Sequence, residues 1–509
     1  MDLPLATLIE RLRVDEDTLP ILLQVKAFVV AATSSAIKNI VKASHLHYLF
    51  NCLHTNDREQ IEVTCFILNS LLPIVDPLEV LMQLSQSIQN GLTHQSDVVR
   101  HLALKELGRI ITTVEGAGAL SESPEVIRQT VKLIADEDMS VASAAVNFLS
   151  DYGCTSPNIA RTLLSHDPES SLETLKAVMS KSDAIRYRVF EVVCNIQSES
   201  QEMLDLCIDS GIISHLVKEL SDDDVLLRVT CCAMLADMAS SQHSLNYLEQ
   251  AGVVSKMVEM LKNSHLEPFS DLYIPGVLKF FGNLCMYSGP QQVVDMYPGF
   301  CDTLFNIFHS NEPSNKQVAI ETIGVIGIID EGKLILVDQG QKCVSFVKEI
   351  CRIMSSGAQD MRLRAVNVMG QLLDHRQVNP EKVDAVLPIT LSWYKLISST
   401  PMDTILSLCK QPFLAIRCSG FHLLNTIAGC SWGIEAMSDF PTMTEYLLDR
   451  STESDKASKE AKYEVVQTLV QSPRFAHVFG NQNYLKFRQF VKEGPFYVES
   501  ELSTAIEEA

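Results

Sequence analysis

The segment Gly327-Ile328-Ile329-Asp330-Glu331-Gly332-Lys333-Leu334 fits the spacing G-x-x-x-x-G-K, in which backbone amides cradle phosphates and a lysine reaches the terminal ones. Leu334 stands where Ser or Thr would hold magnesium, and no strand-like run precedes Gly327. The segment therefore reads as a turn between helices with an exposed lysine. His45, His47, Cys52 and His54 crowd soft ligands together, but His-x-His followed by Cys-x-His is no zinc spacing, and a partly buried helix end is expected. Fourteen cysteines are scattered singly, apart from Cys231-Cys232, without any Cys-x-x-Cys. They read as reduced thiols serving as small core hydrophobes. His-Glu-x-x-His, Gly-x-Ser-x-Gly and Gly-x-Gly-x-x-Gly do not occur. The expectation is a protein that is not an enzyme and takes no cofactor or metal.

Composition narrows what the chain can touch. Its 509 residues are 46% hydrophobic and 20% charged, enough apolar content to fold nearly throughout. A formal net charge of -22 opposes phosphate backbones, which are bound through clustered Lys and Arg, so no nucleic acid is expected and a basic protein surface suits better. Met1-Asp2-Leu3-Pro4 carries no basic segment ahead of an apolar run, and no stretch approaches eighteen uninterrupted apolar residues. Neither a secretory signal nor a membrane contact is expected, and the compartment read from these features is the cytoplasm, with the nucleus as a second.

The elements that position these residues repeat. Taking Ala103 as anchor, Val63, Ala103, Ala145, Val189, Cys231, Val277, Ala319, Ala365, Ser419 and Ala461 occupy one register, about 44 residues apart, as in HEAT and armadillo units. Four residues after each anchor every side chain is apolar, from Ile67 to Val465, with Phe281 among them. Six residues after, at about 240° around a helix, nine of ten are polar, Val325 being the exception. A buried stripe and a polar stripe in constant phase predict stacked amphipathic helices. Gly211 and Gly252 each precede an apolar helix start, as a tight turn between short helices requires. The expected fold is all-α, a right-handed armadillo/HEAT-like repeat solenoid, with capping helices over 1–55, about ten repeats over 56–478 and a C-terminal cap with an acidic flexible tail over 479–509. In such a fold the last helix of each repeat lines the concave surface. The polar stripe then offers Glu191, Asn195, Asp237, Lys279, Asn283 and Glu321 to a partner, a mixed but acid-leaning set.

A more specific likeness rests on Pro268-Phe269-Ser270 with Tyr273, Pro275-Gly276, Lys279-Phe280-Phe281-Gly282-Asn283-Leu284 and Pro290-Gln291-Gln292. Ile185-Arg186-Tyr187-Arg188-Val189, Asp455-Lys456-Ala457-Ser458-Lys459, Phe479-Gly480-Asn481 and Glu493-Gly494-Pro495 extend it across roughly residues 56 to 498. In these segments the chain resembles the proteasome 26S non-ATPase regulatory subunit 5 family, assembly chaperones of the regulatory particle base. The resemblance implies a partner: the C-terminal domain of a proteasomal AAA ATPase, regulatory particle triple-A ATPase subunit 1. It also implies an assembly intermediate holding ATPase subunit 2 and the large non-ATPase scaffold subunit, and absence from the mature particle. The alternative on the same fold is a transport or scaffold adaptor. It calls for a continuous asparagine ladder with tryptophans one turn away, and Trp393 and Trp432 are not in that place.

Overall fold

The computed structural model describes residues 5–497, apart from 14–16, 34–36, 38–41, 223, 265, 268, 311 and 376–381. The part of the expected acidic tail beyond Tyr497 lies outside the described residues. Among the described residues every regular element is helical. The chain divides into two compact units, Met1–Val253 and Val254–Ala509.

Each anchor sits on its own long helix, five to a unit. The first unit holds Arg58–Leu71, Asp97–Ile110, Met139–Cys154, Asp183–Gln197 and Val225–Met238. The second holds Ser270–Ser288, Pro313–Ile328, Gln359–Leu373, Leu414–Gly429 and Lys456–Gln471. Their starts follow from local chemistry: Asp57, Asp138, Ser182, Asp224 and Asp455 each turn a side-chain oxygen onto a free amide of the first turn. Such a cap contributes on the order of 1 kcal/mol. Every anchor is buried, and so is every residue four positions on. Within a unit each long helix packs against the next, so the buried stripe of one repeat closes on its neighbour.

Shorter helices fill out the repeats. Gln201–Asp209 and Ile212–Glu219 precede Val225–Met238, a three-helix armadillo unit, whereas between Arg58–Leu71 and Asp97–Ile110 the one α-helix is Pro77–Leu92, after a single 3-10 turn at Leu72–Ile74, in the two-helix HEAT manner. Gly211 and Gly252 take left-handed φ values of 80° and 76°, where a Cβ is penalised. In the second unit the core is aromatic around Phe281. Its ring lies 5.7 Å from Phe280 and 5.5 Å from Phe300, and all three are buried.

Candidate partner-binding face

Residues two and six after an anchor lie about 40° apart on the side of the helix away from the buried stripe. Among the six residues expected at a partner, two sets of three fall in different compact units.

In the first unit, Glu191 and Asn195 are exposed one turn apart on Asp183–Gln197, and Asp237 is exposed on Val225–Met238, the helix packed beside it. Asn195 is held from the other side, where its Nδ2 donates to Ser150 Oγ at 3.1 Å. Burial, then the Asp237 charge, then the Glu191 charge raise the Cys194 thiol to about 12. Glu191 and Asp237 stand two and six positions after their anchors, in the polar register of two packed helices. This part of the stripe is acidic.

In the second unit, Lys279 is exposed and Asn283 half-buried on Ser270–Ser288, and Glu321 lies on the adjoining Pro313–Ile328. The two helices meet beside Gly282, where a Cβ would stand in ordinary contact, 3.4 Å from the Thr322 methyl. Glu321 pairs with Arg364 of the following long helix, so its charge is met within the chain. Glu191 and Asp237 are the two acidic side chains of the set that lie in the first unit.

The phosphate-loop spacing has a packing origin. Gly327 ends one helix, Pro313–Ile328, and Gly332 lies in the first turn of the next, Asp330–Asp338. A Cβ on Gly332 would meet the Ile326 carbonyl oxygen at 1.9 Å, and Gly116 and Gly433 stand in the same relation to the carbonyls of Ile110 and Ile427. The glycine marks a recurring close crossing between repeats. Lys333 corrects the expectation of an exposed lysine: its side chain is fully buried and Nζ donates to the Ile328 carbonyl at 3.0 Å. Burial lowers its pKa to about 8 against the opposing pull of Asp330 and Asp374. An ammonium turned into the core is not aimed at a phosphate.

The histidine-rich segment runs along the short helix Ala43–Asn51 and past its C-terminus, with Cys52 buried and His47 and His54 exposed. His45 Nδ1 accepts from the Lys42 amide, Cys52 Sγ donates to the Tyr48 carbonyl, and His54 Nδ1 lies 3.2 Å from the Asn51 carbonyl oxygen. Among the described residues no group of three or more His, Cys, Asp or Glu side chains is placed to hold a metal ion. Nor, among them, is any helix long and apolar enough to cross a membrane.

One set of working residues was missed. Three positions before the anchors stand Arg100, Arg186 and Lys316, and each reaches an acidic residue at the next repeat: Asp136 at 2.9 Å, Glu219 at 2.5 Å and Glu349 at 3.2 Å. Arg417 does the same to Asp455 at 2.5 Å. These pairs fix the rotation of one repeat on another and so the alignment of the polar stripe. Their signal was a basic residue recurring ahead of the anchor with a carboxylate about one repeat later.

The model of the family described as proteasome non-ATPase 26S subunit matches residues 3–509. The chain is similar to the 26S proteasome non-ATPase regulatory subunit 5 of Bos taurus, 35% identical over 461 residues, covering 91% of this chain and 90% of that protein. The Homo sapiens protein of that description is 35% identical over 462 residues, with 91% and 90% covered. Among solved structures, the crystal structure of Kap121p aligns with a TM-score of 0.51 at 12% identity, covering 95% of this chain and 56% of that one. At that identity the likeness is one of fold, and it agrees with a helical repeat solenoid.

Proposed function

The chain belongs to the proteasome non-ATPase 26S subunit family, and on that premise we propose that it is an assembly chaperone of the regulatory particle base. It binds the C-terminal domain of proteasomal AAA ATPase subunit 1, within an intermediate that also holds ATPase subunit 2 and the large non-ATPase scaffold subunit, and it leaves before the particle matures. It works by occupancy rather than by chemistry: a protein seated on that domain delays its docking on the proteasome core sterically. The observation that carries this reading is the family membership over residues 3–509, joined to an acidic face formed by Glu191 and Asp237 on packed helices. A face of this sign suits a small domain presenting basic side chains, speeding encounter through long-range attraction. Lys279, Asn283 and Asn195 supply hydrogen-bonding groups along the same register.

Affinity purification of the full chain from cells, with every co-purifying subunit identified, tests the proposal. The expected result is the base ATPases and the scaffold subunit without core-particle subunits. Recovery with intact 26S particles, or with transport receptors in place of the ATPases, overturns it.

A further inference from the structure

The long helix Ser270–Ser288 differs from the other nine in what it exposes. Leu272, Met286 and Tyr287 are 50%, 39% and 44% exposed, whereas among the described residues each of the other nine shows at most one exposed large apolar side chain. Leu272, Lys279, Asn283 and Met286 fall within about 60° of one another around the helix, and Tyr287 follows one turn after Asn283. The polar residues of the expected contact face thus stand inside an apolar ridge about 20 Å long. Exposed apolar surface continues into the residues ahead of the helix, where Leu266 and Phe269 are 71% and 70% exposed. This segment is tied down: the buried Tyr273 donates its hydroxyl to Glu267 at 3.0 Å, and the Leu266 amide donates to the Asn263 carbonyl at 2.8 Å. Phe269 has a φ of 62°, and among the described residues no other non-glycine lies in the left-handed region. That conformation is strained for a bulky side chain, and burial in the chain's own core does not offset it.

We propose that Phe269, Leu272, Met286 and Tyr287 form the apolar core of the partner contact in the second unit, seated against an apolar patch of the ATPase C-terminal domain. This inference rests on the function proposed above. The occupant follows from continuity: Lys279 and Asn283, the polar residues assigned to that partner, lie within the ridge, so a domain that reaches them also covers the apolar side chains around them. Contact energy concentrates in large apolar and aromatic side chains, while polar groups beside them fix register. The labour then divides between the units. The carboxylates of the first unit speed encounter, and the ridge of the second governs dissociation, with Phe269 as its principal contact.

Binding kinetics of the full chain on the immobilised recombinant ATPase domain, at low and at high salt, test the proposal. Phe269→Gly is expected to dissociate at least tenfold faster at both salts, with association changed less than twofold. Its melting temperature is expected to equal or exceed that of the wild type, because glycine takes a left-handed φ without strain. Met286→Gln, at the far end of the ridge and with no change of backbone freedom, is expected to dissociate at least threefold faster. Wild-type dissociation in both variants overturns the apolar contact and leaves the proposed function standing. A wild-type chain that does not bind the domain overturns that function and this contact with it. A fall in the melting temperature of Phe269→Gly assigns Phe269 to its own fold and overturns its role as principal contact. Sedimentation of the chain alone covers the remaining occupant: a wild-type dimer that Phe269→Gly abolishes gives the ridge to a second copy and overturns the assignment.

Discussion

The Glu321 carboxylate on Pro313–Ile328 is paired with the Arg364 guanidinium on Gln359–Leu373, and Arg364 also reaches Asp360 at 3.1 Å. A side chain that the repeat register assigns to a partner is thereby committed to its own neighbour. The pair is partly solvated, so its loss is expected to cost no more than about 1 kcal/mol. Glu321→Gln should lower the melting temperature slightly and weaken partner binding less than threefold. A loss of affinity beyond tenfold in a normally folded Glu321→Gln protein would return Glu321 to the contact surface.

Phe281 reports on the repeat core. Packed between Phe280 and Phe300 with no exposed surface, it offers no partner to a charge. Phe281→Asp is expected to destabilise the protein by ~3 to 5 kcal/mol, by analogy with an unpaired buried charge. Circular dichroism melting and the soluble fraction check this. A variant as stable and soluble as the wild type would remove Phe281 from the core.

Lys333 should matter for stability and not for nucleotide. Lys333→Ala leaves the Ile328 carbonyl without its donor and Asp330 without its nearby cation, and opens a cavity; the expected loss is ~3 kcal/mol. Equilibrium dialysis with ATP and magnesium is expected to show no saturable site in the wild type. Saturable ATP binding that vanishes in the variant would reinstate the phosphate-loop reading.

Alkaline pH should destabilise the fold. Below about pH 8.5 the thiols are protonated in both states, and above it the unfolded chain releases protons that the buried thiols retain. The unfolded state then binds fewer protons, so stability falls as pH rises. Lys333 and Lys462, lowered to about 8 from 10.5, act in the opposite sense between those values, since the unfolded chain keeps their protons longer. Thirteen raised thiols outweigh two lowered lysines. The urea midpoint is expected to drop steadily from about pH 8.5 to about pH 10.5. A flat or rising midpoint would contradict the buried, reduced state of these cysteines.

Much of the architecture was legible because a single helix face carries it. From Val63 to Ala461 the register of buried positions follows from 3.6-residue periodicity alone, and the turn glycines Gly211 and Gly252 follow from the cost of a Cβ at positive φ. What was not legible depends on two helices at once. Glu321 meets Arg364 across 43 residues, and only the rotation of one repeat on the next decides whether its charge faces a partner or a neighbour. Lys333 was misplaced for a related reason. It shares a core-facing stripe with Leu336, three residues on, but a lysine near two glycines reads as a loop until the helix Asp330–Asp338 is seen. His375 and Cys430, 55 residues apart, meet only where two repeats join.

The central claim is that the acidic face of the first unit binds the C-terminal domain of the ATPase. Isothermal titration of the full chain with that recombinant domain, repeated with Glu191→Lys and Asp237→Lys combined, tests it most directly. Both side chains are exposed, and the melting temperature of the double variant is read beside its affinity so that a loss of binding is separated from a loss of folding. The account predicts saturable wild-type binding and at least a tenfold weaker complex in the variant, about 1.4 kcal/mol. Wild-type affinity in the double variant, or no binding by the wild-type chain, would contradict it.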